Sequence, residues 1–329
     1  MTHPAGPQGW PVPNTSQPWL RPVGQTGLTV SAICAGGSPL GSMPENFGYE
    51  VSEAQAVDLV GAILESPIRF LDTSNGYSEG ESERRIGMAI KRHGGLPPDF
   101  LVATKVDAIG SDYSGRRVEQ SIRESRKRLG LERLPLVYLH DPEFHDFEYM
   151  TAPGGAVDTL VRLREDGEIG AIGLAGGQVQ VMERYLNLSV FQVLLVHNRW
   201  TLVDRSAEKI IALATNAGMG VMNAAIYGGG ILANPRGGST SYGYRPAHPE
   251  TLAAIAAMAD VCERWGTNLA TAALQASIRD ELITSTIVGF SKLSRLDDLL
   301  TAAERVLPEP FWTEMADLMP PPSTWLDAG

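Results

Sequence analysis

The chain has 329 residues and a mass of 35.4 kDa, and its 27 Lys and Arg against 38 Asp and Glu leave a formal net charge of -11. With no long basic run, that balance argues against a nucleic-acid or anionic-membrane surface and leaves a small molecule as the expected partner. The two cysteines, Cys34 and Cys262, form no Cys-x-x-Cys pair, so neither a disulfide framework nor a metal site is expected. No apolar run reaches the roughly 20 residues that span a bilayer. The first residues also lack a charged segment followed by an apolar one, so the chain reads as soluble and cytoplasmic, with both cysteines in the core.

Prolines at 4, 7, 11, 13 and 18 repeatedly fix φ and remove backbone donors, so residues 1–20 are expected as an arm that is neither helix nor central strand. From residue 21 to 329 a single domain is expected. In it, eight apolar or β-branched runs alternate with stretches of helical period: "LTVSAICAG" near 28 to 36, "IRFLDT" near 68, "FLVATKV" near 100, "LPLVYLHD" near 134, "IGAIGLAG" near 169, "FQVLLVH" near 191, "GVMNAAI" near 220 and "ITSTIVGF" near 283. Between the first two runs, Ala54, Val57, Val60 and Ile63 recur at three-residue spacing behind a Ser52 and Gln55 capping-box pattern. "RRVEQSIRESRKRLG", "AVDTLVRLREDG" and "SAEKIIALATNAG" each close on a glycine suited to a helix C-cap.

Strand-helix alternation implies parallel strands with right-handed crossovers. Eight such units, with strands apolar on both faces, predict an α/β fold of the closed (β/α)8 TIM barrel type. A doubly wound open sheet is the rival, but no G-x-G-x-x-G turn follows the early strands.

A barrel gathers its active site at the C-terminal ends of its strands. Asp72 ends the second run, Lys105 the third and His140 the fourth, with Tyr77 in the loop just past Asp72. Singly, each has an ordinary explanation as half of an ion pair, a satisfied polar group or a loop anchor. Together they make a proton-transfer set. A phenol titrates near 10 and needs a cation to favour its anion, which Lys105 would supply while Asp72 holds the ammonium and His140 orients the reacting oxygen. Such a set has no redox capacity, so transfer of hydrogen from carbon would need a cofactor.

"FLDTSNGYSEGESERRIG", "VATKV" and "VYLHDP" resemble the signature regions of the aldo-keto reductases, and the resemblance runs from about Arg21, where "RPVGQTGLTVS" is similar to that family's N-terminal hairpin, to about Leu318. It implies Tyr77 as general acid/base, Asp72 and Lys105 as its tuning pair, His140 as the orienting residue and a nicotinamide hydride carrier. More narrowly, "GGSPLG", "NGYSEGESERRIG" and "YGYRPAHPETL" resemble the aldose 1-dehydrogenase branch, which includes L-fucose/D-threo-aldose, L-galactose and pyridoxal dehydrogenases. Members of that branch oxidise a sugar hemiacetal at C1 to a lactone.

The resemblance also implies cofactor contacts, with departures. Ala175 and Gly176 stand after the fifth strand where many relatives carry Ser-Asn, His197 stands where Gln is frequent, and Ala224 stands at the place of a stacking aromatic that Tyr227 could replace. Backbone amides around Gly289, Phe290 and Ser291 open a helix whose N-terminus suits a phosphate. Lys292 and Arg295 add charge there and favour NADP over NAD, although both would also suit solvated helix positions and Leu299 replaces a frequent adenine-binding Asn. Substrate contacts are expected from Asp141, with Glu143 and His145 nearby, from Asn198, Arg199 and Trp200, and from Tyr242 and Tyr244 in a long insert after the seventh strand read as a mobile flap. The expected activity is NAD(P)-dependent oxidation of an aldose hemiacetal. NADPH-dependent aldehyde or ketone reduction, and a cofactor-binding regulatory protein of slight turnover, stay open, as does the oligomeric state.

Overall fold

The computed structural model describes residues 18–44 and 48–328, so nearly all of the expected arm lies outside the described residues. The described chain enters as an antiparallel hairpin of β1 (Leu20–Pro22) and β2 (Thr29–Ser31), with Leu20 opposite Ser31. Its turn holds Gly24 at φ +48°, where a Cβ would run into the carbonyl of Gly218, so glycine alone lets the hairpin seat this closely. Val23 and Val30 then plug the barrel floor against Cys34, Phe70 and Leu136. Arg21 ties the hairpin to the far end of the chain by donating to the carbonyls of Ile283 (2.9 Å) and Ile278 (2.6 Å).

The apolar run near 28 to 36 therefore serves two sheets. Ala32 donates its N–H to the carbonyl of Trp19 (2.7 Å), and past it the chain enters the barrel as β3 (Ile33–Gly36). Then follow α1 (Glu53–Glu65), β4 (Phe70–Asp72), α2 (Glu81–His93), β5 (Leu101–Val106), α3 (Gly115–Leu129) and β6 (Leu134–His140). Two helices, α4 (Phe147–Thr151) and α5 (Ala156–Glu165), lead to β7 (Ile169–Gly176), α6 (Val179–Leu186), β8 (Val193–His197), α7 (Glu208–Asn216) and β9 (Gly220–Ala224). After the insert, with its small hairpin β10 (Ser241–Tyr242) and β11 (Arg245–Pro246), come α8 (Pro249–Arg264), α9 (Leu269–Ile278), β12 (Ser285–Gly289), α10 (Leu293–Glu304) and α11 (Glu309–Ala316). The parallel strands close in the order β12-β3-β4-β5-β6-β7-β8-β9, with Thr286 of β12 beside Ile33 of β3 sealing the ring. The chain is a (β/α)8 barrel.

Helix α1 shows how the pattern works and where it misleads. Val57, Val60 and Ile63 face inward with Ala56, Leu59 and Leu64, a stripe of the width a helix needs against a sheet, while Ala54 in the first turn is exposed. Each buried Val, Leu or Ile contributes about 1.5 to 3 kcal/mol. Ser52 caps the helix by accepting the Gln55 N–H (3.2 Å). Gln55 does not complete a capping box: its side-chain amide donates to the carbonyl of Ser291 (2.6 Å), tying α1 to the loop after the last barrel strand. Gly130, at φ +69°, closes α3 as its sequence predicts. The insert is packed rather than loose, since Ile231, Leu232 and Tyr242 share a second core with Ile255, Met258 and Phe311. Cys34 and Cys262 are both buried free thiols.

Candidate active site

Strand register brings the polar residues together. Asp72 lies beside Ala103 and Lys105 beside Tyr138, so the ends of β4, β5 and β6 present Asp72, Lys105 and His140 at neighbouring levels of one mouth. The Lys105 ammonium donates to Asp72 Oδ2 and to the carbonyl of Thr73, each at 2.6 Å, and both charged side chains are nearly sealed from solvent. It also lies 4.8 Å from the centroid of the Tyr77 ring and 5.9 Å from that of Tyr138. Burial pushes the Asp72 carboxyl up while Lys105 pulls it back. For Lys105 burial works against the charge, but the Asp72 carboxylate outweighs it and holds the ammonium above its usual range. The two directions compete over one pair, and the paired bonds on the nitrogen decide for a charged Lys105. Tyr77 is raised by burial, with Lys105 acting to lower it, so its resting state is the protonated phenol.

The loop that carries Tyr77 is strained and braced. Ser78 (φ 51°) and Glu79 (φ 53°) are left-handed without being glycine, a geometry costing about 1 to 3 kcal/mol per residue that persists only where neighbours impose it. The neighbours are visible: Tyr77 N–H donates to Ser74 O (3.3 Å), Ser78 Oγ to Ser42 O (3.2 Å) and Ser82 Oγ to Gly37 O (2.7 Å). Asp141, Asn198 and Ala225 are also left-handed, each just beyond a barrel strand, so backbone strain gathers at the mouth.

His140 has a partner that its sequence neighbourhood conceals. Its Nδ1 lies 2.6 Å from Asp107 Oδ1, and the other oxygen of Asp107 accepts the Gly76 N–H (2.7 Å) and the Ser74 hydroxyl. Burial would depress the His140 imidazole, but the charges of Asp107 and Asp141 outweigh it and leave it above its usual value. Asp107 is correspondingly held low: burial would raise it, and His140, Ser74 and the Gly76 amide more than offset that. Asp107 sits two residues past Lys105, the same offset that separates Tyr138 from His140, so alternation along adjacent parallel strands was the available signal. Tyr113 braces the pair, its hydroxyl donating to Val106 O (2.5 Å) and accepting the His140 N–H (3.0 Å).

Above these residues opens a cleft of about 1420 Å³ lined by Asp72, Tyr77, Lys105 and His140. Ala175, Gly176, His197 and Ala224 line it, as do Gly289, Phe290, Ser291, Lys292 and Arg295 at the start of α10. Tyr227 lines it as well. Asp141 and the 70% exposed Tyr244 border the mouth. Asp141, Glu143 and His197 bring ligand-type atoms within 4.8 Å of one another, giving this end an acidic character. Burial lowers His197 to about 4, so it is neutral near pH 7. A Cβ on Gly176 would stand 2.5 Å from Glu143 Oε2, while Glu143 Oε1 accepts the Gly177 N–H (2.6 Å), so the carboxylate fills the space beside that glycine.

Four expected substrate contacts lie elsewhere. Arg199 is buried and forms a two-pronged pair with Asp327 (2.6 and 3.0 Å), and the Trp200 indole donates to Asp280 (2.8 Å) with Arg205 over its ring. Tyr242 is an anchor, its hydroxyl donating to the carbonyl of Asn198 (2.6 Å), and the Asn198 side chain contacts His197 Nδ1 (3.2 Å). None of the four lines the cleft, because the loop after β8 turns inward and uses its polar groups to hold the insert and the C-terminal segment. Gln55, Thr271 and Arg305, which do line it, were not anticipated.

The model of the aldo/keto reductase family matches residues 32–319, most of the chain. The chain belongs to the aldo/keto reductase family. As a member it is an NAD(P)-dependent oxidoreductase, and this reductase is 31% identical over 291 residues to an L-galactose dehydrogenase of Arabidopsis thaliana, covering 86% of the chain and 87% of the relative. It is 28% identical to a pyridoxal 4-dehydrogenase of Microbacterium luteolum, covering 90% and 96% of the two chains. It is equally 28% identical to a D-threo-aldose 1-dehydrogenase of a Pseudomonas species, covering 90% and 97%. In fold, the reductase superimposes on a Bacillus halodurans aldo-keto reductase with a TM-score of 0.76 at 20% identity, covering 94% of this chain and 98% of that one. Among the described residues no helix is long and apolar enough to cross a membrane.

Proposed function

We propose that this reductase oxidises the C1 hydroxyl of a cyclic hemiacetal, an uncharged aldose or similar hydroxyaldehyde, to the lactone, with Tyr77 as acid/base and NADP preferred over NAD. The observation that carries the reading is the buried Asp72–Lys105 pair set against Tyr77 at the floor of a cleft whose far end is cationic. The relatives add the substrate class, since L-galactose, threo-aldoses and pyridoxal each combine an aldehyde with a hydroxyl that can close on it.

The cleft fits a dinucleotide on its own features. It is long and lined by glycines at Gly36 and Gly289, and at one end it meets the N-terminus of α10 with Lys292 and Arg295, where an anionic phosphate is favoured. A nicotinamide bound there supplies the acceptor for the hydride from C1. The protein residues manage the proton. Tyr77, kept a phenol at rest by burial, first releases its proton to water in the cleft, and the hydroxyl proton then moves to its oxygen. Lys105 stabilises the negative charge that develops on that oxygen, and Asp72 keeps Lys105 charged and aimed. His140, whose ring meets that of Tyr77 edge-on at 5.7 Å between centroids, borders the same space. Asp141 and neutral His197 are placed to bind further hydroxyls, and the same residues run carbonyl reduction in reverse.

One observation supports NAD instead: Asp298, which also lines the cleft, is bonded to Arg295 (3.2 Å) and would suit a free ribose hydroxyl better than a phosphate. Tyr77→Phe tests the catalytic reading. It is expected to lower kcat by about 100- to 10,000-fold while leaving cofactor affinity unchanged. Parallel loss of binding and turnover would remove Tyr77 from the acid/base role.

A further inference from the structure

Asp107 does more than fill a turn. Its backbone is clamped on both sides, the N–H by Ser121 Oγ (3.2 Å) and the carbonyl by Arg117 Nε (3.0 Å), so the carboxylate cannot drift. One oxygen holds the Gly76 amide and Ser74 hydroxyl of the segment that carries Tyr77, and the other meets His140 Nδ1. A single buried carboxylate therefore fixes the Tyr77 loop and the His140 ring relative to each other. Gly76 N–H and the Ser74 hydroxyl occupy Oδ2 as donors, and a carboxylate oxygen at 2.6 Å from a ring nitrogen requires the proton on that nitrogen. With Nδ1 committed as donor, Nε2 is the free nitrogen, and it points toward the cleft mouth, 3.7 Å from Asp141 Oδ2.

We propose that Asp107 is a positioning residue for the reaction: it locks His140 in the Nδ1–H form with the Nε2 lone pair turned to the cleft, where it accepts the reacting hydroxyl. The assignment rests on the hemiacetal-oxidation reading and deepens it. The other groups bearing on His140 are Asp141, which also favours the imidazolium, Lys105, which opposes it, and Asp72, Tyr77 and neutral His197. Lys105 is already neutralised by Asp72, so the two nearby carboxylates prevail.

The test is a 15N NMR titration of the histidines in the full chain, with and without NADP, alongside the pH dependence of kcat. In the natural sequence His140 should titrate above the ordinary value near 6.5 with its proton on Nδ1 in the neutral form. In Asp107→Asn its titration should drop by about one unit or more, because the carboxylate that favours the imidazolium is gone. Only neutral His140 keeps an Nε2 lone pair for the reacting hydroxyl, so the acid limb of kcat should move to lower pH by a matching amount, while kcat itself falls about 10- to 100-fold and cofactor affinity holds. Asp107→Glu should recover part of both. An Nε2–H tautomer in the natural sequence, or an Asp107→Asn chain in which neither the titration nor the pH profile moves, overturns the assignment. The titration is read without substrate, so a failed hemiacetal panel would sink the function reading while leaving this one separately decided, and the tautomer is read on the natural sequence even if the variant does not fold.

Discussion

Arg295 already has an anionic neighbour in Asp298 (3.2 Å), yet both side chains are exposed, and such a pair is worth about 0 to 1 kcal/mol. A charge-assisted bond to a ribose phosphate contributes about 1.5 to 3 kcal/mol, so the phosphate wins the guanidinium when it is present. Lys292→Ala combined with Arg295→Ala is accordingly expected to weaken NADP binding by about 10- to 100-fold and to leave NAD nearly unaffected; equal losses, measured by fluorescence quenching, would remove the case for NADP. At this scale sequence reading reached the residues whose chemistry is visible one at a time. Asp72, Lys105 and His140 stand at strand ends, Tyr77 in the loop past one of them, and all four line the cleft. Asp107 escaped because it stands just past the end of β5 with no motif of its own, and only strand register joins it to His140. Gln55 was legible as a cap but not as a tie to Ser291, since one side chain can satisfy either and tertiary contact decided.

The loop after β8 shows the same limit among elements. Asn198, Arg199 and Trp200 follow a barrel strand and have sugar-binding side chains, yet sequence adjacency cannot tell which way a loop turns. Here the described C-terminal segment decides it: Asp327 meets Arg199, Leu326 donates its N–H to Asp204 (2.7 Å), and Arg245 of the insert donates to the carbonyl of Leu326 (2.6 Å). The insert and the C-terminal segment are thus one structural unit over the rim. Ending the chain at Pro320 would strand a buried guanidinium, an error worth about 3 to 5 kcal/mol. A matching fall in denaturant-unfolding stability is expected, partly restored by Arg199→Met in the shortened chain. An unchanged unfolding midpoint would show that the pair contributes nothing.

Across the whole molecule, the fold was the most legible feature, because each apolar run buried on two faces and each helix with one apolar stripe has few partners other than the next unit of a closed barrel. The split of the first run into β2 and β3, and the packed insert, were not legible, since both depend on where distant carbonyls and core positions lie. Charge differs along the cleft: Lys292, Arg295 and Arg305 outnumber Asp298 at the α10 end, while Asp141, with Glu143 close by, borders the other. There, among the described residues, Lys105 is paired with Asp72 and Arg199 with Asp327. With a net charge of -11 around it, that end should accept uncharged substrates and turn away sugar phosphates and uronates. The most direct measurement is the formation of reduced nicotinamide when the purified enzyme meets NADP or NAD with L-galactose, L-fucose, D-arabinose, pyridoxal and, for contrast, a sugar phosphate. Turnover of at least one uncharged hemiacetal, faster with NADP, lost in Tyr77→Phe and absent with the phosphate, is the expected result. Reduced cofactor from the phosphate alone, or from none of them with either nucleotide, would contradict the hemiacetal dehydrogenase reading.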